Sequence, residues 1–460
     1  MTPDGTVRLK AAKWRADNDE NSLYNIEAGN GAQQVWTTTD ATGRTVTGKG
    51  IGVALIDSGI APVEGLTAAG KVVNGPDLSF ESNGAATRYL DTFGHGTHMA
   101  GIIAGRDTKV KAGKEDDPKL FTGVAPDATL INLKVAAADG AVDVSQVIAA
   151  IDWAVAHRND PGLNIRVLNL SFGTDSAQDP RLDPLSHAVE AANPYVIAVG
   201  GGGPRGTTTR TDDIVGDFST RGNATRHADL LAAGKSVVSL RVPGSYIDSN
   251  YPTGLLPTDK DQRLFRGSGT SQATAVVSGA AALLLQQRPN LTPDQVKRLL
   301  TTTTDTMPAA DPISAGAGQL NIAAAAAAPT PAYTQTWSAS LGTGTLEGAR
   351  GSAHVTDPVS GIELTGERDI MGAAWTKSIT ARAWVGGVWN GRTWSGSSWS
   401  GSSWTSRTWS GATWTGNNWT GVSWTARTWS DAVWDGRTWS ARTWSARTWS
   451  ARTWSGCGWS

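Results

Sequence analysis

The stretch RGSGTSQATAVVSGAAALLLQQ, Arg266 to Gln287, reads as a glycine turn that delivers a serine into the first turn of a buried helix. Gly267 and Gly269 are expected to supply backbone geometry closed to other residues. Ala273 to Leu285 is small or apolar enough to be buried on nearly every side, and Arg288-Pro289 ends the run. Ser271 is the candidate nucleophile. A helix N-terminus favours negative charge beside the serine oxygen, because its first N–H groups are unpaired and its dipole is positive there. Taken alone, GTS fits a serine N-cap on a core helix equally well. The decision rests on whether a base and its orienting acid occur elsewhere.

Outward from this helix, short apolar runs recur as strands. They are GIGVALIDSGI (Gly50 to Ile60), KVVNG (Lys71 to Gly75), ATLINLKVA (Ala128 to Ala136), IRVLNLSFG (Ile165 to Gly173), YVIAVGG (Tyr195 to Gly201) and SVVSLRV (Ser236 to Val242). Helical patterns such as Val144 to His157 separate them. Alternation of this kind predicts an α/β fold, a mostly parallel sheet with helices on both faces. Thr292-Pro293-Asp294-Gln295 is a capping-box start with proline at the first helical position, predicting a last helix to about Leu300.

The base comes from a short inventory of six histidines. His95 lies in FGHGTHMAGIIAG, where Gly94 and Gly96 permit close backbone approach and a small-residue helix begins; His98 is its rival. Asp57 ends the first strand, and ligands in open α/β sheets gather outside the carboxyl ends of the strands. By itself Asp57 also fits a turn-forming Asx residue.

Together DSG, GHGTHMAG and GTSQAT, in the order Asp, His, Ser, resemble the subtilisin-like serine proteases. The resemblance runs from about Gly48 to Ala328; the residues before it and the tail more loosely resemble actinobacterial secreted members. It implies a subtilisin-like fold in which Ser271 attacks the scissile carbonyl, His95 carries the proton and Asp57 orients the imidazole. It also implies that Ser171, Phe172 and Gly173 bind extended substrate backbone and line the specificity pocket. The family's GTSMATP motif is altered here, Gln272 standing for Met and Ala275 for Pro. No cofactor is required, and structural calcium is known among relatives without being placeable here.

One expected residue is missing. The resemblance implies an asparagine, in an AAGN context on a central strand, that donates to the oxyanion, and no such motif occurs. After the helix Pro184 to Ala192 the chain passes through Asn193-Pro194 into YVIAVGGGGPRG, which with the later DFSTRG matches the family's following strand. A strand and its loop therefore read as deleted. In the alternative, YVIAVGGG is the oxyanion strand itself with glycine in place of asparagine. Two functions follow, a serine endopeptidase or a catalytically impaired domain that binds peptides or attaches to the envelope. A dinucleotide-loop reading of Gly201-x-Gly203-x-x-Gly206 fares worse, because Pro204 and Thr207-Thr208-Thr209 do not start a helix for a pyrophosphate. No His/Cys/Asp cluster has zinc spacing.

Composition bounds the rest. With 460 residues, 39% hydrophobic and 18% charged, the chain has room for a sizeable core and more than one domain. Its net charge of −1 conceals a basic tail: from residue 382 onward there are eight Arg, no Lys and two Asp. The tail's partner is expected to be an envelope glycan or anionic polymer, and nothing suggests a nucleic-acid-binding core. From Trp384 to Trp459 a tryptophan falls every five residues, sixteen in all. In a strand this odd spacing sends successive rings to opposite faces, and in a helix each ring lands about 140° from the last. The repeat reads as turn-rich or irregular β structure, with a coil of five residues per side as the alternative. The domains expected are an N-terminal extension (1–47), the peptidase domain (48–328), a linker (329–380) and the repeat tail (381–460). The N-terminus as written lacks an apolar export signal, and no stretch is long enough to span a bilayer; extracellular or envelope location follows from the resemblance alone. A lone Cys457 permits no internal disulfide.

Overall fold

In the computed structural model the described residues are 14–375, apart from 83, 85, 193–195, 204–209, 225–226, 257–258, 337–339, 353, 357–360, 362 and 371–373; beyond 375 only strand segments between 393 and 455 are described. The chain opens with α1 (Leu23–Asn30) and α2 (Ala32–Val35) and enters β1 (Gly52–Asp57) and β2 (Val72–Asp77). It continues through α3 (His95–Ala104), β3 (Thr129–Lys134), α4 (Val144–Ala156), β4 (Ile165–Leu170) and α5 (Pro184–Ala192). Then come β5 (Val199–Gly203), β6 (Ile214–Val215), β7 (Leu230–Ala233), β8 (Val237–Leu240), α6 (Tyr246–Asn250) and β9 (Leu264–Gly267). The long α7 (Thr270–Gln287) precedes α8 (Pro293–Thr302), α9 (Pro312–Ala315), α10 (Ile322–Ala327) and α11 (Leu346–Arg350).

The fold is α/β, with β1 at its centre because every one of its residues is buried. Val53 and Leu55 face one way, into a core shared with Met99 and Ile102 of α3 and Val276 and Leu283 of α7. Ala54 and Ile56 face the other way, against Val147 and Ile151 of α4. A period of two thus puts helices on both faces of a parallel sheet, in the order β2-β3-β1-β4. α8 begins as its sequence predicts, Thr292 and Gln295 forming the reciprocal capping box with Pro293 in the first turn, but it is not the last helix, since α9, α10 and α11 follow it.

The sheet then stops. β5 belongs to a second sheet, β6-β5-β7, pairing in parallel with β7 and antiparallel with β6, while β8 and β9 form a separate hairpin. β4 is consequently an edge of the first sheet, and its residues from Arg166 to Leu168 are exposed or half-buried where those of β1 are not. α7 packs against both β4 and β5. Its apolar surface bridges the two sheets across the interruption. The short β7 and β9, four residues each, were not among the expected strands.

The stretch whose composition suggested a linker, 329–380, packs on the domain over much of its described length. Leu346 and Ala349 join the core beside α4, and Arg350, 1% exposed, reaches Asp143 at the start of α4 with Nε 2.6 Å from Oδ2. A buried charge requires a buried partner. Asp143 lies 207 residues earlier, so composition carried no sign of the pairing.

Most of the tail lies outside the described residues. Its described strand segments pair in parallel at two registers, fifteen residues for Trp394 opposite Trp409 and Trp399 opposite Trp414, and twenty for Trp424 opposite Trp444 and Trp434 opposite Trp454.

Candidate active site

Ser271 is the second residue of α7, and the N-cap is Gly269 with no side-chain cap bond. The serine therefore does not cap the helix. The flanking glycines act differently from expectation: Gly269 has φ 167°, ordinary extended backbone, and Gly267 is not in the left-handed region. What they provide is space. A Cβ on Gly267 would lie 2.7 Å from Nε2 of Gln272, and one on Gly269 would lie 2.8 Å from Oε1 of the same side chain.

His95 is the first residue of α3, preceded by Gly94 at φ 104°, a left-handed conformation that favours glycine. Its Nδ1 lies 2.8 Å from Oδ1 and 3.0 Å from Oδ2 of Asp57. The carboxylate can only accept, so Nδ1 carries the proton and Nε2 is left as the basic nitrogen. Burial opposes ionisation of the imidazole, but the charge and hydrogen bond of Asp57, with the more distant charge of Asp91, outweigh it and raise its pKa. The rival His98 has the opposite environment. It is buried, its Nε2 is 3.2 Å from the Phe265 carbonyl, and burial followed by the nearby His95 charge lowers its pKa to about 4. His98 is a neutral core residue.

Asp91 and Ser58 are the positioning residues that motif reading passed over. Asp91 accepts from the N–H groups of Gly94 at 2.6 Å and Thr97 at 2.7 Å, capping α3. Ser58 donates its hydroxyl to Asp91 at 2.8 Å and accepts from the Gly96 N–H at 2.9 Å. This network ties the end of β1 to the start of α3 and so fixes Asp57 against His95. An acid four residues before the histidine was the available signal.

The nucleophile loop and α3 meet at a small cavity that His95, His98 and Gln272 line together. Ser271 Oγ points to the carbonyl of Ser171 at 3.5 Å, which sets the Ser171-Phe172-Gly173 segment beside the serine. Among the described residues no hydrogen bond joins Ser271 to His95. Such contacts are often loose without substrate and tighten when it binds. Phe172 packs towards the α4 side of the core, and Gly173 follows β4 outside any helix or strand.

The Subtilase family model matches residues 48–344, well over half of the chain. The chain belongs to the subtilase family. Serine protease AprX of Bacillus subtilis is 34% identical over 311 residues, 61% of this chain and 66% of AprX. Minor extracellular protease Epr of the same organism is 31% identical over 255 residues, 55% of this chain and 34% of Epr. Subtilisin E is 29% identical over 289 residues, 61% of this chain and 66% of Subtilisin E. The chain thus spans a little under two thirds of AprX and Subtilisin E and about a third of Epr. The subtilase match extends to residue 344, past Ala328, where the sequence pattern suggests its end.

Within this subtilase domain the glycine run does not face the serine. A Cβ at Gly201 would meet the Phe218 ring, one at Gly202 would lie 3.0 Å from Cδ and Oε1 of Gln319, and one at Gly203 would lie 3.0 Å from Cδ of Lys235. Asn193 lies outside the described residues, as does Gly206 of the dinucleotide-like pattern. Two buried asparagine amides are committed elsewhere: Asn169 donates to Ser171 Oγ at 2.9 Å, and Asn132 donates to Asn74 and the Tyr89 carbonyl, both at 2.9 Å. Among the described residues no group of three or more His, Cys, Asp or Glu is placed to hold a metal ion, and no helix is long and apolar enough to cross a membrane.

Proposed function

We propose that this chain is a serine endopeptidase that cleaves protein substrates through an acyl-enzyme on Ser271. The observation that carries the reading is the two-oxygen grip of Asp57 on His95 Nδ1. In the proposed reaction Ser271 Oγ turns from the Ser171 carbonyl to His95 Nε2 and attacks the scissile carbonyl as Nε2 takes its proton. His95 then returns that proton to the leaving amine, and water repeats the sequence on the ester. Asp57 keeps Nδ1 protonated and stabilises the imidazolium. The Ser171-Phe172-Gly173 segment, at the end of edge strand β4, pairs with extended substrate backbone. The unpaired N–H groups at the start of α7 face the developing oxyanion. Labelling with a fluorophosphonate tests this: the probe is expected to modify the wild type and not Ser271→Ala. Labelling that survives in Ser271→Ala overturns it.

A second reading, a weakly active subtilase domain that chiefly binds peptides, is favoured by the interruption between β4 and β5. With Gly202 turned towards Gln319, Gly201 towards Phe218 and Gly203 towards Lys235, the described glycine run offers the oxyanion no side-chain donor. Loss of one side-chain donor costs about 10²–10³ in turnover. Turnover on a short peptide separates the readings, since about 1–10³ per second is ordinary for enzymes. In either case we infer an extracellular setting, with the basic, tryptophan-rich tail attached to an envelope glycan or anionic polymer. No cofactor enters the proposed chemistry.

A further inference from the structure

A second cavity, of about 440 Å³, shares no lining residue with the cavity at His95. Leu264 and Val238 of the hairpin line it, whereas the neighbouring Phe265 and Gly267 line the cavity at His95. The volume is in the range that holds a small organic ligand. Its other walls come from α1, the segment before it and the loop around Phe121. Trp14 is anchored there by its indole N–H, which donates to Asp19 at 2.8 Å, and Asp19 is in turn paired with Arg266 at 2.6 Å.

Glu27 of α1 also lines this cavity, and nothing in the fold accounts for it. It is 1% exposed, its Oε1 is buried without a hydrogen-bond partner, and burial raises its pKa well above the ordinary carboxyl value. A buried carboxyl oxygen without a partner is destabilising, so its retention beside a ligand-sized cavity points to a donor that arrives from outside. Charge settles the class of donor. Six acidic and three basic side chains line the cavity; Arg263 pairs with Asp107 at 2.5 Å, Arg15 with Asp17 at 2.5 Å and Glu115 with Arg106 at 3.2 Å, so outside these pairs Glu27, Asp117, Asp259 and Asp261 stand against Lys119. No lining acid set is placed to hold a metal ion, among the described residues.

We propose that this cavity binds a primary ammonium group carried on an apolar body, with Glu27 as its counter-ion and the aromatic rings of Trp14, Tyr24 and Phe121 around the body. The ammonium donates to the unpaired Oε1, and an aromatic face within reach adds a cation–π contribution. A free amine and a lysine side chain share this chemistry.

Isothermal titration of the full chain tests the proposal with three probes: phenethylammonium, Nα-acetyl-lysinamide and the uncharged 2-phenylethanol. Saturable binding is expected for at least one of the two amines, and binding of 2-phenylethanol at least tenfold weaker than phenethylammonium or undetectable. The tighter of the two amines identifies a free aromatic amine or a lysine side chain as the source. Glu27→Gln, nearly isosteric and uncharged, is expected to weaken the amine at least tenfold. Absence of saturable binding by both amines, alcohol binding as tight as phenethylammonium, or unchanged amine binding in Glu27→Gln overturns the proposal. Where Glu27→Gln does not fold, the probe comparison on the wild-type chain decides.

Discussion

Asp57 grips the imidazole of His95 with both carboxylate oxygens, at 2.8 and 3.0 Å from Nδ1. A grip of this kind fixes ring orientation and tautomer together. It also explains why a histidine this enclosed has a raised pKa when burial alone would lower it.

Asp57→Asn therefore has two expected consequences. The asparagine can present a donor to Nδ1 and favour the wrong tautomer, so fluorophosphonate labelling should slow by a factor on the order of 10⁴, the loss seen in a trypsin-type triad. The His95 titration, followed by NMR, should move the other way from its present displacement. In the wild type its midpoint lies above the usual histidine value of about 6.5, and without the carboxylate burial prevails and the midpoint falls. Because His95 is the proposed base only when neutral, wild-type labelling should rise with pH through that raised midpoint. An unchanged labelling rate in Asp57→Asn would remove Asp57 from the mechanism.

The buried pair between Arg350 and Asp143 predicts a stability effect remote from the chemistry. Both side chains are 1% exposed, and Asp143 also caps α4 by accepting from the Ser145 N–H at 2.9 Å. Arg350→Met should destabilise the domain by about 3–5 kcal/mol, since it strands a buried carboxylate. Urea unfolding measures this. A change below about 0.5 kcal/mol, typical of surface substitutions, would show that the segment around α11 is dispensable to the domain.

Arg350 also marks where sequence reading ends. β1 was legible because the short apolar run Val53 to Ile56 lies between Gly52 and the turn signal Asp57-Ser58-Gly59, and α8 because Thr292 and Gln295 spell its cap. Asp57, His95 and Ser271 stand out in the sequence because each lies at or next to the end of an element, within two residues of a glycine, in DSG, GHG and GTS. Three features were hidden, each for a distinct reason. The Arg350 contact spans 207 positions. The role of Gly267 and Gly269 depends on where the Gln272 side chain lies, not on their own φ. The unpaired state of Glu27 is a property of its surroundings and leaves no mark in LYNIEAGN.

The tail predicts a separable function. Eight arginines and sixteen tryptophans at a fixed interval suit an anionic or glycan surface, where indole and guanidinium groups stack and pair. Deletion of residues 381–460 should leave hydrolysis of a short peptide unchanged and weaken retention on cell-envelope material. Equal retention of the two proteins in a pelleting assay would reject attachment as the role of the tail.

The glycine run supplies the sharpest test of how the oxyanion is held. If YVIAVGGG were the oxyanion strand with its donor lost, Gly202→Asn would restore an amide beside the developing charge and recover part of the roughly 3–4 kcal/mol that such a donor supplies. The backbone argues otherwise. Gly202 pairs with Val215 on one side and Ala233 on the other, its carbonyl accepts from the Gly234 N–H at 2.8 Å, and a Cβ there would press on Gln319, whose amide donates to Asp213 at 2.9 Å. An asparagine at this position meets that buried pair and not Ser271. Gly202→Asn is therefore expected to give no gain in turnover and some loss of stability, read by peptide hydrolysis and by urea unfolding on the same preparation. A tenfold or greater rise in turnover would mean that this strand does border the oxyanion, and that the interruption between β4 and β5 is not where the donor was lost.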